Sequence, residues 1–141
     1  MSNDVVKDFA KLDKLIAQLK GKPARVIYDG TEYGVWQEFG AKPHVIRPNK
    51  AKALSWPGAE HPVGAVHHPG NPPHPFMRPA IEHIRPALKD GWQAVLDGTI
   101  TADDFVEKLA TDAEAIARSM APYDTGNLSN AIGHCRPEEF R

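Results

Sequence analysis

The residues whose types most invite chemistry are histidines: His61, His67, His68 and His74 lie in one stretch, and His83 follows. Imidazole is the commonest zinc ligand, and a catalytic zinc site needs three protein ligands in fixed geometry with a position left open. A small metal-dependent hydrolase built on the His61–His83 cluster is therefore one reading of the chain. The spacing argues against it. His67 and His68 are adjacent, so on a strand they point to opposite faces. Prolines and a glycine separate His61 and His74 from them, no HExxH occurs, and Cys135 has no second cysteine to join. The expectation is no metal, no cofactor, and histidines on a polar loop or at a subunit interface.

Acid–base catalysis needs two carboxylates, or a carboxylate and a histidine, converging in a pocket. Asp103, Asp104, Glu107, Asp112 and Glu114 instead cluster on what reads as the solvent face of a helix. Glu32 and Glu38 stand apart, flanking Trp36, and Glu38 is expected to cap a backbone or bridge to Arg25 or Arg47. Ser55, Ser119, Ser129 and Cys135 are nucleophiles by type only, in neither a G-x-S-x-G context nor a recognised cysteine motif. Phosphate-cradling G-x-x-x-x-G-K-[ST] and G-x-G-x-x-G sequences are absent. No catalytic residue is expected, and the chain reads as a protein that is not an enzyme.

Composition narrows the partners. A net charge of −1 over 141 residues, with no lysine–arginine run, offers no field for sequence-specific nucleic-acid binding. A single cysteine excludes an internal disulfide and fits a reducing compartment. No apolar run approaches the ~18 residues of a membrane span, and the start MSNDVVKDFAK is unlike a signal peptide. The expected location is the cytoplasm, unless the protein leaves it as part of an assembly.

The elements that must position these residues can be read in order. Val5, Phe9, Leu12, Ile16 and Leu19 recur at spacings of four, three, four and three, an amphipathic helix that must dock on something, with Lys7, Asp8, Lys11 and Lys14 mostly turned to water. Gly21 and Pro23 end it. Residues 24–28 (ARVIY) read as a strand closed by Asp29-Gly30, and Tyr33–Phe39 either returns as a hairpin strand or forms a short helix. From about 42 to 76 the chain becomes a proline-rich extended arm. Seven of the 13 prolines fall between Pro57 and Pro79, and proline confines strands to edges. Short strands are expected at His44–Arg47, Ala53–Trp56 and Val63–His67, as a meander or an extended hairpin.

Helical periodicity resumes at Met77 and runs through Ile81, Ile84, Leu88, Trp92 and Val95, with Pro86 kinking or splitting it near Arg85. Thr101 is a candidate N-cap for a helix carrying Phe105, Leu109, Ala113, Ile116 and Met120. Asp124-Thr125 would cap a last short turn over 126–132, and the tail adds a strand or frays. The expected fold is a single α+β domain over 1–141: a small antiparallel sheet with a long β-hairpin arm, packed by an N-terminal helix and two to three C-terminal helices. Aromatic residues lodged among prolines, Trp56 and Phe76, are candidate interface anchors.

Three groups of residues resemble a tailed-phage family, the Hong Kong ninety-seven-type tail-component proteins of the neck and tail-completion region. The first is Tyr33–Gly40 (YGVWQEFG), similar to the family's Y-A-x-[YV]-x-E-F-G element. The second is the arm: His44-x-Ile46-x-Pro48, Lys52-Ala53-Leu54-x-Trp56, Val66-x-His68-Pro69-Gly70 and Pro75-Phe76-Met77-Arg78-Pro79-Ala80. The third is Ala121-Pro122-Tyr123-Asp124-Thr125-Gly126-Asn127-Leu128 with Ile132, similar to A-P-x-D-T-G-x-L-x-x-[SA]-I. Together they cover roughly half of the chain. In the family's commoner order the D-T-G-x-L element precedes E-F-G; here it follows.

The resemblance implies a structural virion protein of the head–tail junction or tail: a head-tail connector, tail-completion or minor tail component. It would act by assembling into a homo-oligomeric ring, such as a hexamer, and by docking to neighbouring connector, portal-proximal or tail proteins. It would reside in the virion, and in the host cytoplasm during assembly. On that view Trp56, His68, Pro69, Gly70, Phe76 and Arg78 belong to an assembly interface, with Phe76 its buried anchor and Arg78 a charge partner. The alternatives are the histidine-cluster hydrolase above or an adaptor unrelated to phage.

Overall fold

A computed structural model describes residues 3–123 and 126–141, with side chains from residue 10 onward. The expected cap at Asp124-Thr125 and the side chains of Val5 and Phe9 lie outside the described residues. Among those described, the chain is a small α+β fold of six helices and two separate two-stranded antiparallel sheets.

Helix α5 (Ala102–Met120) is the axis. Thr101 starts it as read from the sequence, its hydroxyl accepting from the Asp104 amide at 3.1 Å. Its apolar residues serve two clusters. Towards its start, Ala102, Phe105 and Leu109 pack with Val95 of α4 (Ala87–Leu96), joined by Trp92 and Ile84; Trp92 meets Phe105 edge-on, with ring centroids 5.2 Å apart. Towards its end, Ala117 and Ala121 pack with Phe76 and Ala80, the latter on α3 (Met77–Ile84), and with Leu128 of α6 (Asn127–Ala131) and Ile132. Alanines along α5 let these elements approach closely. The break between α3 and α4 falls at Arg85-Pro86, where proline removes a helical donor.

Strand β1 (Val26–Asp29) pairs with β4 (Ile132–Cys135), in the register Val26 opposite Cys135 and Asp29 opposite Ile132. The tail therefore supplies a strand. The hairpin reading of Tyr33–Phe39 is corrected: it is helix α2 (Gly34–Phe39). The physical reason is local. The Asp29 carboxylate accepts from the Thr31 amide at 2.9 Å and from its hydroxyl, and Thr31 Oγ1 accepts from the Gly34 amide, a relay that curls the chain out of the strand.

The arm is a hairpin of β2 (His44–Ile46) and β3 (Val66–His68), with single bridges at Ala41–Asn71 below and Leu54–Val63 above. The expected strand over Ala53–Trp56 shrinks to that one upper bridge. Helix α1 (Asn3–Lys20) brings the largest correction. It was expected to bury Leu12, Ile16 and Leu19, which are instead 50%, 41% and 47% exposed. It leans on the body through Leu15, and Gln18 Oε1 accepts from the Ala102 amide at 2.8 Å, capping the start of α5. Among the described residues no helix is long and apolar enough to cross a membrane.

Candidate docking surface

The root of the arm is a hydrogen-bonded joint between α2 and the segment that leaves the arm. A helix ends with carbonyls lacking intrahelical partners and starts with amides in the same state. Here the segment leaving the arm serves the end of α2, and a side chain of α2 serves the start of α3. The Trp36 carbonyl accepts from Asn71 Nδ2 at 3.0 Å, and the Gln37 carbonyl from the His74 amide at 2.7 Å. Glu38, 5% exposed, turns its carboxylate to the start of α3: Oε2 accepts from the Phe76 and Met77 amides at 2.8 and 2.9 Å, and Oε1 from the Arg78 amide at 3.1 Å. The next residue, Pro79, has no N–H. All the free donors of the first turn of α3 are thereby accounted for by one side chain and one proline.

Burial pushes the Glu38 carboxyl up, but the amides of Met77, Phe76 and Arg78 and the Arg78 guanidinium, whose Nε lies 3.1 Å from Oε1, together hold it below the usual carboxylate range. Glu38 is thus the cap the sequence suggested, with Arg78 as its bridging partner. Arg25 lies elsewhere, in a bidentate pair with Asp103 and bonded also to Glu107.

Two glycines make the joint possible. Gly40, just after Glu38 and Phe39, has φ +74°, and a Cβ there would sit 2.7 Å from the Asn71 carbonyl oxygen. Gly70 has φ +82°, and a Cβ there would sit 2.1 Å from the Ala41 carbonyl oxygen. They flank the Ala41–Asn71 bridge from opposite strands. Above it, His44 and His68 face each other in register, with ring centroids 5.0 Å apart. His44 Nδ1 donates to the Lys42 carbonyl at 2.8 Å, while His68 Nδ1 accepts from the Gly70 amide at 3.0 Å.

The candidate interface residues therefore divide. Phe76 is 1% exposed inside its own chain's core, so the expectation that it anchors a partner is corrected: the cap delivered by Glu38 turns it inward against Ala80, Ala117 and Ile132. Gly70 is a backbone joint. Arg78 is exposed, with its guanidinium 5.4 Å from the Phe39 ring centroid. Trp56 at 49% exposure and Pro69 lie on the surface of the arm, and His68 is half-buried.

Sequence reasoning missed Trp36 and Phe39 as surface residues; they are 53% and 63% exposed. Trp36 lines an open groove of about 620 Å3 with Lys42, His44, His68 and Asn71. Their positions, four residues and one residue before the E-F-G glycine Gly40, read as core until α2 is known to be only six residues long.

His61, His67, His74 and His83 do not converge with His68. Among the described residues no three histidine, cysteine or acidic side chains are grouped to hold a metal ion. The histidine with charged partners is one the sequence did not single out for this: His134 of β4 sits between Glu107, 3.1 Å from its Nε2, and Glu114, on its Nδ1. The Glu107 contact does most to raise its pKa, burial opposes it, and Glu114 adds to the rise.

In comparisons with known proteins, no family model matches the chain, and no curated protein or solved structure matches it either.

Proposed function

We propose that this chain is a structural protein of a tailed-phage head–tail junction or tail, which assembles into a ring and docks neighbouring virion proteins along its arm. In this reading it carries no reaction of its own, and it moves from host cytoplasm into the virion as assembly proceeds. The observation that carries the reading is surface. A compact monomer of this mass would expose about 7,200 Å2, whereas this chain exposes 10489 Å2. The surplus exceeds what two standard interfaces of about 800 Å2 per partner would cover, as a ring subunit with a neighbour on each side requires.

Much of what stands uncovered fits docking. The β2–β3 hairpin is a ladder of two strands, a unit that is marginal alone. Its Val45, Ile46 and Trp56 are each more than a third exposed. Prolines along it limit the entropy lost when it orders against a partner. The three groups of residues in the phage resemblance supply Glu38, Gly40, Gly70, Phe76, Leu128 and Ile132, which form the arm's root and the core beneath it. They therefore describe one joint that aims the arm.

The test is to replace residues 47–65 by a two-residue turn, which leaves the paired strands and the root intact. The shortened protein should keep its helical content and thermal midpoint while losing entry into assembled particles. Normal assembly with the shortened arm would sink the proposal.

A further inference from the structure

The net charge of −1 conceals how the charge is placed. Between residues 42 and 76 the chain carries four cations, Lys42, Arg47, Lys50 and Lys52, against one carboxylate, Glu60, together with five of its seven histidines. The rest of the chain carries thirteen cations against seventeen carboxylates. The two regions also partner their cations differently. In the body Arg25, Arg78, Arg85, Arg118 and Arg136 each face a carboxylate. Among the described residues no ion pair includes any of the arm's four cations, all of which are exposed. A local positive field therefore stands on a chain that has none overall.

The first of these cations lies in a groove. Lys42 lines the open groove of about 620 Å3 at the root of the arm with Trp36, His44, His68 and Asn71, so every ionisable side chain there is basic. The indole of Trp36 is 53% exposed. His44 Nδ1 is taken by the Lys42 carbonyl and His68 Nδ1 by the Gly70 amide, which leaves the two Nε2 atoms for a ligand. Because His68 Nδ1 accepts, its Nε2 carries the proton of the neutral ring and is a donor. Asn71 Nδ2 donates to the Trp36 carbonyl, so the indole and the imidazoles belong to one hydrogen-bonded joint.

Donors for an anion beside a flat apolar ring suit a ligand that has both an anionic group and a flat face. We infer that the groove binds a single nucleic-acid strand without reading its sequence: a base stacks on Trp36, and phosphate oxygens accept from Lys42 Nζ and His68 Nε2. Arg47, Lys50 and Lys52 continue the positive track outward along the arm. A duplex hides its base faces, and an acidic protein segment answers the cations while leaving the indole in water. Each of those meets half of the site. The inference needs only the groove and does not rest on the virion reading above.

Fluorescence anisotropy of a labelled oligothymidylate with the full chain tests it, first at low salt and then at rising salt. The strand should bind, and the logarithm of its affinity should fall linearly with the logarithm of salt concentration. Trp36→Ala should weaken binding about tenfold or more. Lys42→Ala should weaken it too and make the salt slope shallower by about 0.7. Both side chains are exposed in the free chain, so both variants should keep the wild-type thermal midpoint. No binding at low salt would overturn the inference. So would unchanged binding by Trp36→Ala, which would reduce the arm to a diffuse positive surface, or tighter binding of a mixed-sequence duplex. Polyglutamate that displaces the strand as readily as unlabelled strand does would assign the groove to an acidic protein instead.

The chain with residues 47–65 replaced by a turn keeps the groove and should still bind, more weakly for want of Arg47, Lys50 and Lys52. If it binds the strand yet enters particles normally, the docking reading falls and this one stands. If the wild-type chain binds no strand while the shortened arm fails to enter particles, this inference falls alone.

Discussion

The root of the arm and its tip are built on opposite principles. At the root each backbone group of the first turn of α3 has a named partner or, at Pro79, no group to satisfy, and Phe76 beneath it is sealed. At the tip one bridge, Leu54 with Val63, holds the strands, and Trp56 stands half in solvent. A rigid root costs entropy once, during folding, and fixes where the tip points. On the docking reading proposed above, a loosely held tip leaves its ordering to the moment of contact. The difference teaches that the buried, fully bonded residues fix where the arm is made, while the exposed residues further out, Trp56 among them, are the ones that the docking proposed above would use.

Substitutions at the root should therefore hurt folding most. Phe76→Ala removes a fully buried ring between α3, α5 and β4 and should cost about 3–5 kcal/mol in denaturant unfolding. A loss below 1 kcal/mol would mean the site collapses freely, and the contrast with the tip would fail. Glu38→Ala comes next, at about 2–4 kcal/mol, because three amides lose their acceptor while remaining enclosed.

That second effect carries a pH signature. The folded carboxyl titrates below its ordinary value, so its contribution is complete above the unfolded pKa and disappears as pH falls through the folded one. Wild-type stability should drop below about pH 4, and the drop should flatten in Glu38→Gln. Equal acid sensitivity in the two proteins would show that Glu38 is not the group responsible.

Gly70→Ala should cost about 1–3 kcal/mol, since it adds strain at positive φ to a collision with the Ala41 carbonyl. Its diagnostic is local: amide exchange should quicken at Ala41 and Asn71 well before the α5 core opens. Uniform quickening would mean root and body unfold as one unit.

How far the sequence could be read follows from how local each cause is. Thr101 with Asp104, Pro86 between two apolar runs, and the hairpin of the arm all depend on neighbours in the chain, and each was legible. The turn of Tyr33–Phe39 into a helix hinged on Asp29 reaching Thr31, a choice that β-propensity obscured. The direction of Phe76 depended on Glu38, far away in sequence, and aromatic-among-prolines reasoning carries no such information. The stripe of α1 was legible as a stripe. Its rotation depended on Leu15 and Gln18 finding α4 and α5, which no periodicity reveals.

Away from the arm, His134 provides a smaller test of the body. Its folded pKa is raised, so its pairs with Glu107 and Glu114 contribute fully below the unfolded pKa and fade as pH rises through the folded value. Replacing it with Gln should remove about 1 kcal/mol at mildly acidic pH and almost nothing at alkaline pH. A pH-independent loss would assign His134 to packing alone.

The smallest folding effect should come from the tip. Trp56 is 49% exposed in a segment with one bridge, so Trp56→Ala should change unfolding by less than about 0.5 kcal/mol. The same substitution should impair entry into assembled particles far more than Phe76→Ala does when both are compared at equal folded concentration. That normalisation matters, because Phe76→Ala lowers the amount of folded chain and would otherwise mimic a docking defect. If Trp56→Ala destabilises the free chain as much as a core truncation, the tip is packed in solution and the root-and-tip contrast collapses. If it is neutral in both measurements, docking lies elsewhere on the arm, with Val45 and Ile46 the next residues to change.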